Sequence, residues 1–206
     1  MAEQRVPPSF ASAYADFVAH PRFGVGPRIT GSNPEATPDA RVYLHWHSPA
    51  DQRVPGTAVS ADLSRQSPAT VAVTHYFDVV RQCRSCGRKF LFFAEEQKHW
   101  YEELKFPLEA DCLRCPACRR AEHQLRATRD RYVHLLQAAN RSPELDLEFA
   151  ECGAALIEAG VFTPKLLPKL RSALKRAASS ADAEVAARAV DLLDRVKNDR
   201  RSESES

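Results

Sequence analysis

The chain has 206 residues, of which 44% are hydrophobic, and a formal net charge of +2 at pH 7. This length and composition suit one or two globular domains, and so mild a charge does not by itself indicate a nucleic-acid partner. No apolar run approaches the roughly 18 residues of a membrane-spanning helix, and the N-terminal stretch MAEQRVPPSF lacks the basic and apolar regions of a signal peptide. Clustered cysteines without a secretory signal then predict a cytoplasmic protein in a reducing compartment.

Residues 1–40 are predicted to be a Pro/Gly-rich segment with little regular structure. They contain six of the fourteen prolines. Proline removes a backbone donor and fixes φ, which disfavours long helices and central strands. A short helix from about Ser9 to Ala19 is expected, because apolar side chains recur there near helical spacing.

Residues 41–82 predict short β-strands that lead toward the cysteines. In RVYLHWH, Val42, Leu44 and Trp46 alternate with Tyr43, His45 and His47. In TVAVTHYFDVV, one face of a second strand carries Val71, Val73, His75, Phe77 and Val79. His45 and His47 could hold a catalytic metal in a metalloenzyme, and His75 could approach them if the strands pair, but no other third ligand and no activated nucleophile is evident. Half-exposed strand histidines beside a buried tryptophan are the alternative, and the sequence favours it.

Residues 83–119 contain five of the six cysteines. Cys83-x-x-Cys86 and Cys115-x-x-Cys118 predict one structural Zn²⁺ held by four thiolates, because each C-x-x-C turn directs two sulfurs at one point. A closed shell of four thiolates leaves no position for water, so the ion would stabilise the fold without catalysing a reaction. A redox dithiol or a disulfide is the competing interpretation. Cys112 forms a rival C-x-x-C with Cys115.

The residues between the two cysteine pairs predict a strand and then a helix. Lys89–Phe93 should be a strand whose Phe90 and Phe92 share one face and shield the thiolates. A helix is expected from Ala94 to Leu104, with acids in its first turn, where the helix dipole favours them, and without a side-chain cap at Phe93.

This stretch resembles the probable zinc-ribbon domain of bacterial and plant proteins, whose pattern is C-x-x-C-G-x-x-F-x-F, E-Q, an aromatic pair and P-x-R-C-x-x-C-R. The matching positions are Cys83, Cys86, Gly87, Phe90, Phe92, Glu96, Gln97, Trp100, Tyr101, Arg114, Cys115, Cys118 and Arg119. The chain from RITGSNP onward resembles bacterial zinc-ribbon proteins of unknown function. The resemblance implies a zinc ribbon over residues 83–120 and a bound zinc, with Cys112 outside the ligand set, and it implies no established activity.

Residues 121–199 predict four amphipathic helices, followed by a disordered tail at 200–206. The first covers residues 121–139, and Ser142-Pro143, Thr163-Pro164 and Ser180 mark the starts of the others. The predicted fold class is therefore α+β: a zinc ribbon with adjoining strands, then a helical bundle.

The predicted function is that of a non-enzymatic zinc-binding protein whose ribbon is a structural platform for protein–protein interaction. Nucleic-acid binding is the alternative, through Arg114, Arg119, Arg120, Arg126 and Arg129, although Glu102, Glu103, Glu109 and Asp111 interrupt that basic set. A second basic group, on the third C-terminal helix, comprises Lys165, Lys169, Arg171, Lys175 and Arg176. It is predicted to be a solvated helix face.

Overall fold

The computed structural model describes residues 12–36, 42–69 and 71–203, with side chains as far as Val196. The chain divides into two compact units, residues 1–120 and 121–206. Short antiparallel strand pairs are followed by helices, which confirms the predicted α+β class. No helix in the described part of the chain is long and apolar enough to cross a membrane.

Two antiparallel strand pairs lie in the first unit. β1 (Val59–Ser60) pairs with β2 (His75–Tyr76), and β3 (Val79–Gln82) pairs with β4 (Lys89–Phe92). The prediction of one continuous strand through Val71, Val73, His75, Phe77 and Val79 was therefore wrong. The chain changes sheet at Asp78, whose N–H donates to Thr57 Oγ1 at 3.0 Å.

The segment RVYLHWH does not form the predicted strand in the part that the structure describes, residues 42–47. Leu44 makes a single bridge with His75, and the chain then turns, with Ser48 N–H donating to His45 O. His45 is 3% exposed and Trp46 is 44% exposed, the reverse of the burial that the alternation predicted. The His45 ring points inward because a buried carbonyl, Leu108 O, accepts its hydrogen bond.

Loop segments from earlier in the chain cover both edges of the β3–β4 hairpin. Val18 N–H donates to Lys89 O on one edge, and Val80 N–H donates to Gln52 O on the other, each at 2.8 Å. The helix predicted from Ser9 to Ala19 begins outside the described residues, and of its described part only residues 12–13 are helical. Val18 instead extends the hairpin, because an unpaired strand edge needs backbone partners.

One helix precedes the second cysteine pair and another begins within it. α1 (Ala94–Lys98) continues as a π-helical turn (His99–Glu103) over the stretch predicted to be helical. α2 (Pro116–Gln137) begins earlier than the predicted start at residue 121. Pro116 is its first residue, where a missing N–H costs nothing and the fixed φ suits a helix.

Three further helices complete the second unit. α3 (Pro143–Glu158) has Ser142 as its N-cap, with the hydroxyl accepting from Leu145 N–H. A 3₁₀ turn (Pro164–Leu166) precedes α4 (Leu167–Ala177), so Pro168 lies in the first turn of the α-helix and does not interrupt it. α5 (Ala183–Glu203) continues beyond residue 199, where the last helix was predicted to end, and the remainder of the predicted tail, 204–206, lies outside the described residues.

Candidate metal centre

The four predicted ligands lie together. The sulfurs of Cys83, Cys86, Cys115 and Cys118 are all within 4.8 Å of one another, and Cys86 Sγ is 3.9 Å from Cys115 Sγ. Sulfurs at the corners of a tetrahedron with Zn–S bonds of ~2.3 Å lie ~3.8 Å apart, whereas a disulfide requires ~2.05 Å. The observed spacing therefore suits a metal ion and not a disulfide.

Backbone geometry fixes the first cysteine pair. Cys83 follows β3 directly, and its N–H donates to Arg88 O across the mouth of the hairpin at 2.9 Å. Gly87 has φ of 70°, a conformation that costs glycine little, and its N–H returns to Cys83 O at 2.9 Å. We call residues 83–87 the first C-x-x-C turn.

The second pair sits at the beginning of a helix. Cys115 immediately precedes α2 and Cys118 lies in its first turn, where Arg119 N–H donates to Cys115 O at 3.0 Å. Arg84 N–H donates to Leu113 O at 3.0 Å and so joins the chain before this helix to the first C-x-x-C turn. The centre thus combines a hairpin turn with a helix N-terminus.

The electrostatics of the sulfurs favour a cation among them. Burial opposes ionisation of Cys83, but the N–H groups of Cys115, Cys86 and Ser85 point at its sulfur and together lower the pKa to about 6. The pKa of Cys118 is raised to about 12, first by its hydrogen bond with Cys115 and then by burial. One thiol thus ionises readily and a neighbouring one does not, so full deprotonation of the cluster requires a positive ion.

Cys112 lies beside this cluster and outside it. Its side chain is buried, its Sγ donates to Arg114 O at 3.5 Å, and burial raises the pKa of the thiol to about 12. A thiol of this kind acts as a small apolar side chain. The structure therefore favours Cys115-x-x-Cys118 as the second pair.

A comparison with protein-family models places this arrangement in a known class. Residues 77–127 match the family described as probable treble clef domain. The predicted resemblance to a zinc-ribbon-type domain is thereby confirmed, and the four-cysteine cluster lies within the matched residues. No curated protein and no solved structure matches the chain.

The E-Q pair of the treble clef domain has a structural role. Gln97 Nε2 donates to Phe77 O at 2.6 Å and to Phe92 O at 2.9 Å, which attaches α1 to the hairpin. Glu96 Oε1 accepts from Arg119 Nη2 at 2.5 Å, which attaches α1 to the start of α2. These bonds hold the hairpin that carries the first cysteine pair close to the helix that carries the second.

The aromatic pair that follows completes this attachment. The Trp100 ring lies 4.9 Å from the Phe92 ring, and the Arg119 guanidinium lies 5.1 Å from the Trp100 centroid, a cation–π contact. Tyr101 Oη donates to Ala110 O at 2.6 Å. The aromatic rings thus cover the hairpin next to the thiolates.

Asp78 is a buried residue of this unit that sequence reasoning missed. Its Oδ1 accepts from Ala94 N–H at 2.7 Å and its Oδ2 from Arg28 N–H at 2.8 Å, so it caps α1 where Phe93 cannot. Burial raises the pKa of Asp78 to about 6, while the two N–H bonds oppose this shift. The sequence feature that could have indicated its role is an acid within the otherwise apolar run FDVV.

The three histidines of the metalloenzyme hypothesis are not gathered into a metal site. His45 Nε2 bonds to Leu108 O at 2.7 Å and its Nδ1 accepts from His47 N–H, so both ring nitrogens are occupied. Burial lowers the pKa of His45 to about 4. His75 Nδ1 lies 3.1 Å from Thr74 Oγ1. In the described ranges, the residues that the structure groups around a possible metal are the four cysteines.

Internal contacts occupy part of both predicted basic groups. Arg119 binds Glu96, and Arg114 Nε donates to Ser85 Oγ at 3.0 Å. On α4, Arg176 binds Asp146, and Arg171 Nη2 donates to Val196 O. The predicted basic sets are therefore not uniform charged surfaces.

Proposed function

We propose that the treble clef domain holds one structural Zn²⁺ through Cys83, Cys86, Cys115 and Cys118. The observation that supports this proposal is the cluster of four sulfurs that lie within 4.8 Å of one another. Zinc accepts four thiolates without a geometric preference of its own, and the cluster supplies all four. The ion holds the hairpin turn against the start of α2, because the apolar contacts there are too few to do so alone.

We propose that the protein is a non-enzymatic binding module. Four thiolates close the shell, so no position remains for water or substrate. Two nearby groups that could act as acids or bases already have structural partners: Glu96 Oε1 binds Arg119, and both ring nitrogens of His45 are occupied. Clustered cysteines that hold a metal and do not form disulfides suit a reducing compartment, which supports a cytoplasmic location. The sequence favoured a protein partner, and the exposed Arg84, Arg88 and Lys89 at the first C-x-x-C turn support an anionic one.

Metal analysis of single-cysteine variants tests the ligand set. We expect about one zinc per chain in the wild-type protein, since a four-thiolate site holds one ion. Cys118→Ser should lose stoichiometric zinc, whereas Cys112→Ser should keep it, and Cys152→Ser is a control in the second unit. Zinc lost from Cys112→Ser but kept in Cys118→Ser would show that Cys112 and Cys115 are the second pair.

Cobalt substitution tests whether the shell is closed. Co²⁺ in place of zinc should give the absorption spectrum of a tetrahedral thiolate site, and added azide should leave it unchanged. A spectrum that changes on titration with azide would reveal an open coordination position. That result would contradict a purely structural ion and favour an enzyme.

A further inference from the structure

A groove of about 520 Å³ lies beside the β3–β4 hairpin. Trp46, His47 and Gln52 line it from the loop, and Gln82 and Lys89 line it from the strands. The groove thus places an exposed indole close to amide groups and an ammonium group. Such a combination suits a ligand with both a flat ring and negative charge.

Trp46 is held in one orientation although it is exposed. Its ring stacks on His45 at 4.6 Å with an angle of 19° between planes, and His45 in turn stacks on Tyr101 at 5.3 Å. Because His45 is fixed by its bond to Leu108 O, the stack is supported from inside the unit. A further planar ring can extend such a stack with little loss of side-chain entropy.

Arg81 fixes the loop that carries the indole. Its guanidinium donates to His47 O, to Gln52 Oε1 and, at 3.1 Å, to Asp111 Oδ1. The bond to His47 O holds the residue next to Trp46, so Arg81 is a positioning residue for the groove. The same ion pair offsets the charge of Asp111, the acid that lines the groove.

Positive charge adjoins the groove at the first C-x-x-C turn. Arg84, Arg88 and Lys89 are exposed, and the sequence from Val79 to Ala94 contains no acid. Asp16 lines an adjoining cavity with Arg88 and Lys89. Glu102, one of the acids that the sequence set against nucleic-acid binding, is buried and accepts from Asp62 N–H and Lys98.

We propose that the groove and the first C-x-x-C turn bind single-stranded nucleic acid. Trp46 stacks on one base, and Arg84, Arg88 and Lys89 contact the backbone phosphates. Paired bases keep their faces inside the duplex, so this mode requires an unpaired strand. The proposal rests on the proposed zinc site, because the ion closes the turn that carries Arg84 and Arg88.

Fluorescence anisotropy of the zinc-loaded full chain tests the aromatic contact. The probes are labelled 12-nucleotide RNA and DNA strands of mixed sequence, and the matching duplexes, at low and physiological salt. Trp46→Ala should weaken single-strand binding by about tenfold, and Trp46→Phe should restore most of it, since any aromatic face can stack. Comparing the affinities for the RNA and DNA probes shows which of the two nucleic acids the protein prefers.

Charge variants test the phosphate contacts. The triple variant Arg84→Gln, Arg88→Gln, Lys89→Gln should bind more weakly, and the slope of log K against log salt should flatten by about 2, or roughly 0.7 per lost contact. The matched control, Lys165→Gln, Lys169→Gln, Lys175→Gln on α4 and the 3₁₀ turn before it, removes the same charge and should bind as the wild type does.

The outcomes distinguish this proposal from the proposed zinc site. Absent single-strand binding at low salt, preference for the duplex, or unchanged binding in Trp46→Ala or in the triple variant would each overturn it. If the protein contains one zinc and shows any of these results, the zinc site stands without the nucleic-acid function. Protein that purifies without zinc and still binds with the expected variant pattern would contradict the zinc proposal and the dependence of the turn on the ion, and it would support only the contacts of Trp46, Arg84, Arg88 and Lys89.

Discussion

The two units hold their interiors together by different means. In residues 121–196, the part of the second unit whose side chains the structure describes, the buried apolar side chains form one cluster, to which α2, α3, α4 and α5 all contribute. In the described part of residues 1–120 they form four smaller clusters, and the strands are two to four residues long. Small, separate clusters supply less stabilisation by burial, so the first unit depends more on specific bonds.

Buried polar groups supply those bonds. The first unit contains His45, Ser48, Thr57, Asp78, Glu96, Gln97 and Glu102, whereas the second contains Asp146. In the first unit several of these side chains bond to backbone groups that short strands and loops leave unpaired, as Gln97 does with Phe77 O and Phe92 O. Each such bond is costly to leave unmade, so a loop-rich unit tolerates fewer changes than a helical one.

The two buried aspartates show the same contrast. Asp78 is bonded to the N–H groups of Ala94 and Arg28, and burial raises its pKa to about 6. Asp146 is buried as well, which opposes ionisation, but the guanidinium groups of Arg176 and Arg141 outweigh this and lower its pKa. Asp78 is therefore easier to protonate than an ordinary aspartate, and Asp146 is harder to protonate.

The largest expected effect comes from removing the proposed zinc. Apparent free energies of zinc binding in small zinc domains are about 10–16 kcal/mol, comparable to the whole stability of a domain. A strong chelator, or Cys115→Ser, should therefore abolish hydrogen-exchange protection in β3, β4 and α1 and leave protection in α3 and α4. Mass-spectrometric hydrogen exchange makes this measurement. Full protection of β3 and β4 in the metal-free protein would contradict it.

The opposite perturbation removes apolar packing from the second unit. Phe149 is fully buried and stacks on Tyr132 with 4.8 Å between centroids. Phe149→Ala should lower the free energy of unfolding of the helices by about 3–5 kcal/mol. Chemical denaturation followed by circular dichroism measures this change, and exposed Val190→Ala is the control. Zinc content should stay at the wild-type value, and its loss would show that the two units are not independent.

The smallest effect concerns pH. The folded-state pKa of Asp78 lies above its unfolded value of 3.8, so its contribution to stability is present at low pH and is lost as pH rises through 6. From pH 7 to pH 5, the wild type should gain about 1 kcal/mol relative to Asp78→Asn. Denaturation in excess zinc at both pH values measures the difference.

Asp146 provides the opposite pH dependence in the second unit. Its folded-state pKa is lowered, so its contribution is present above the unfolded value of 3.8 and is lost as pH falls through the folded value. Asp146→Asn should therefore cost the same stability at pH 7 and pH 5, and its cost should shrink below pH 4. Equal pH dependence of the two variants would contradict the assigned shifts.

Local patterns in the sequence were enough for several elements. The two C-x-x-C pairs identify the residues that the fold brings together, because each pair directs two sulfurs at one point within a single turn. Ser142-Pro143 marks the start of α3 because a cap and a proline act within one turn. The resemblance to a zinc-ribbon-type domain and the α+β class came from the same short-range signals.

Tertiary structure alone decided which side chain meets which distant backbone group. Asp78 caps α1, His45 turns inward to Leu108 O while Trp46 faces outward, and Val18 pairs with the edge of β4. These partners are separated by many residues in the sequence, and hydrophobic alternation carries no information about them. The sequence identified the four clustered cysteines and the start of α3 because their causes are local. The burial of His45 and the exposure of Trp46 depend on contacts that only the folded chain creates.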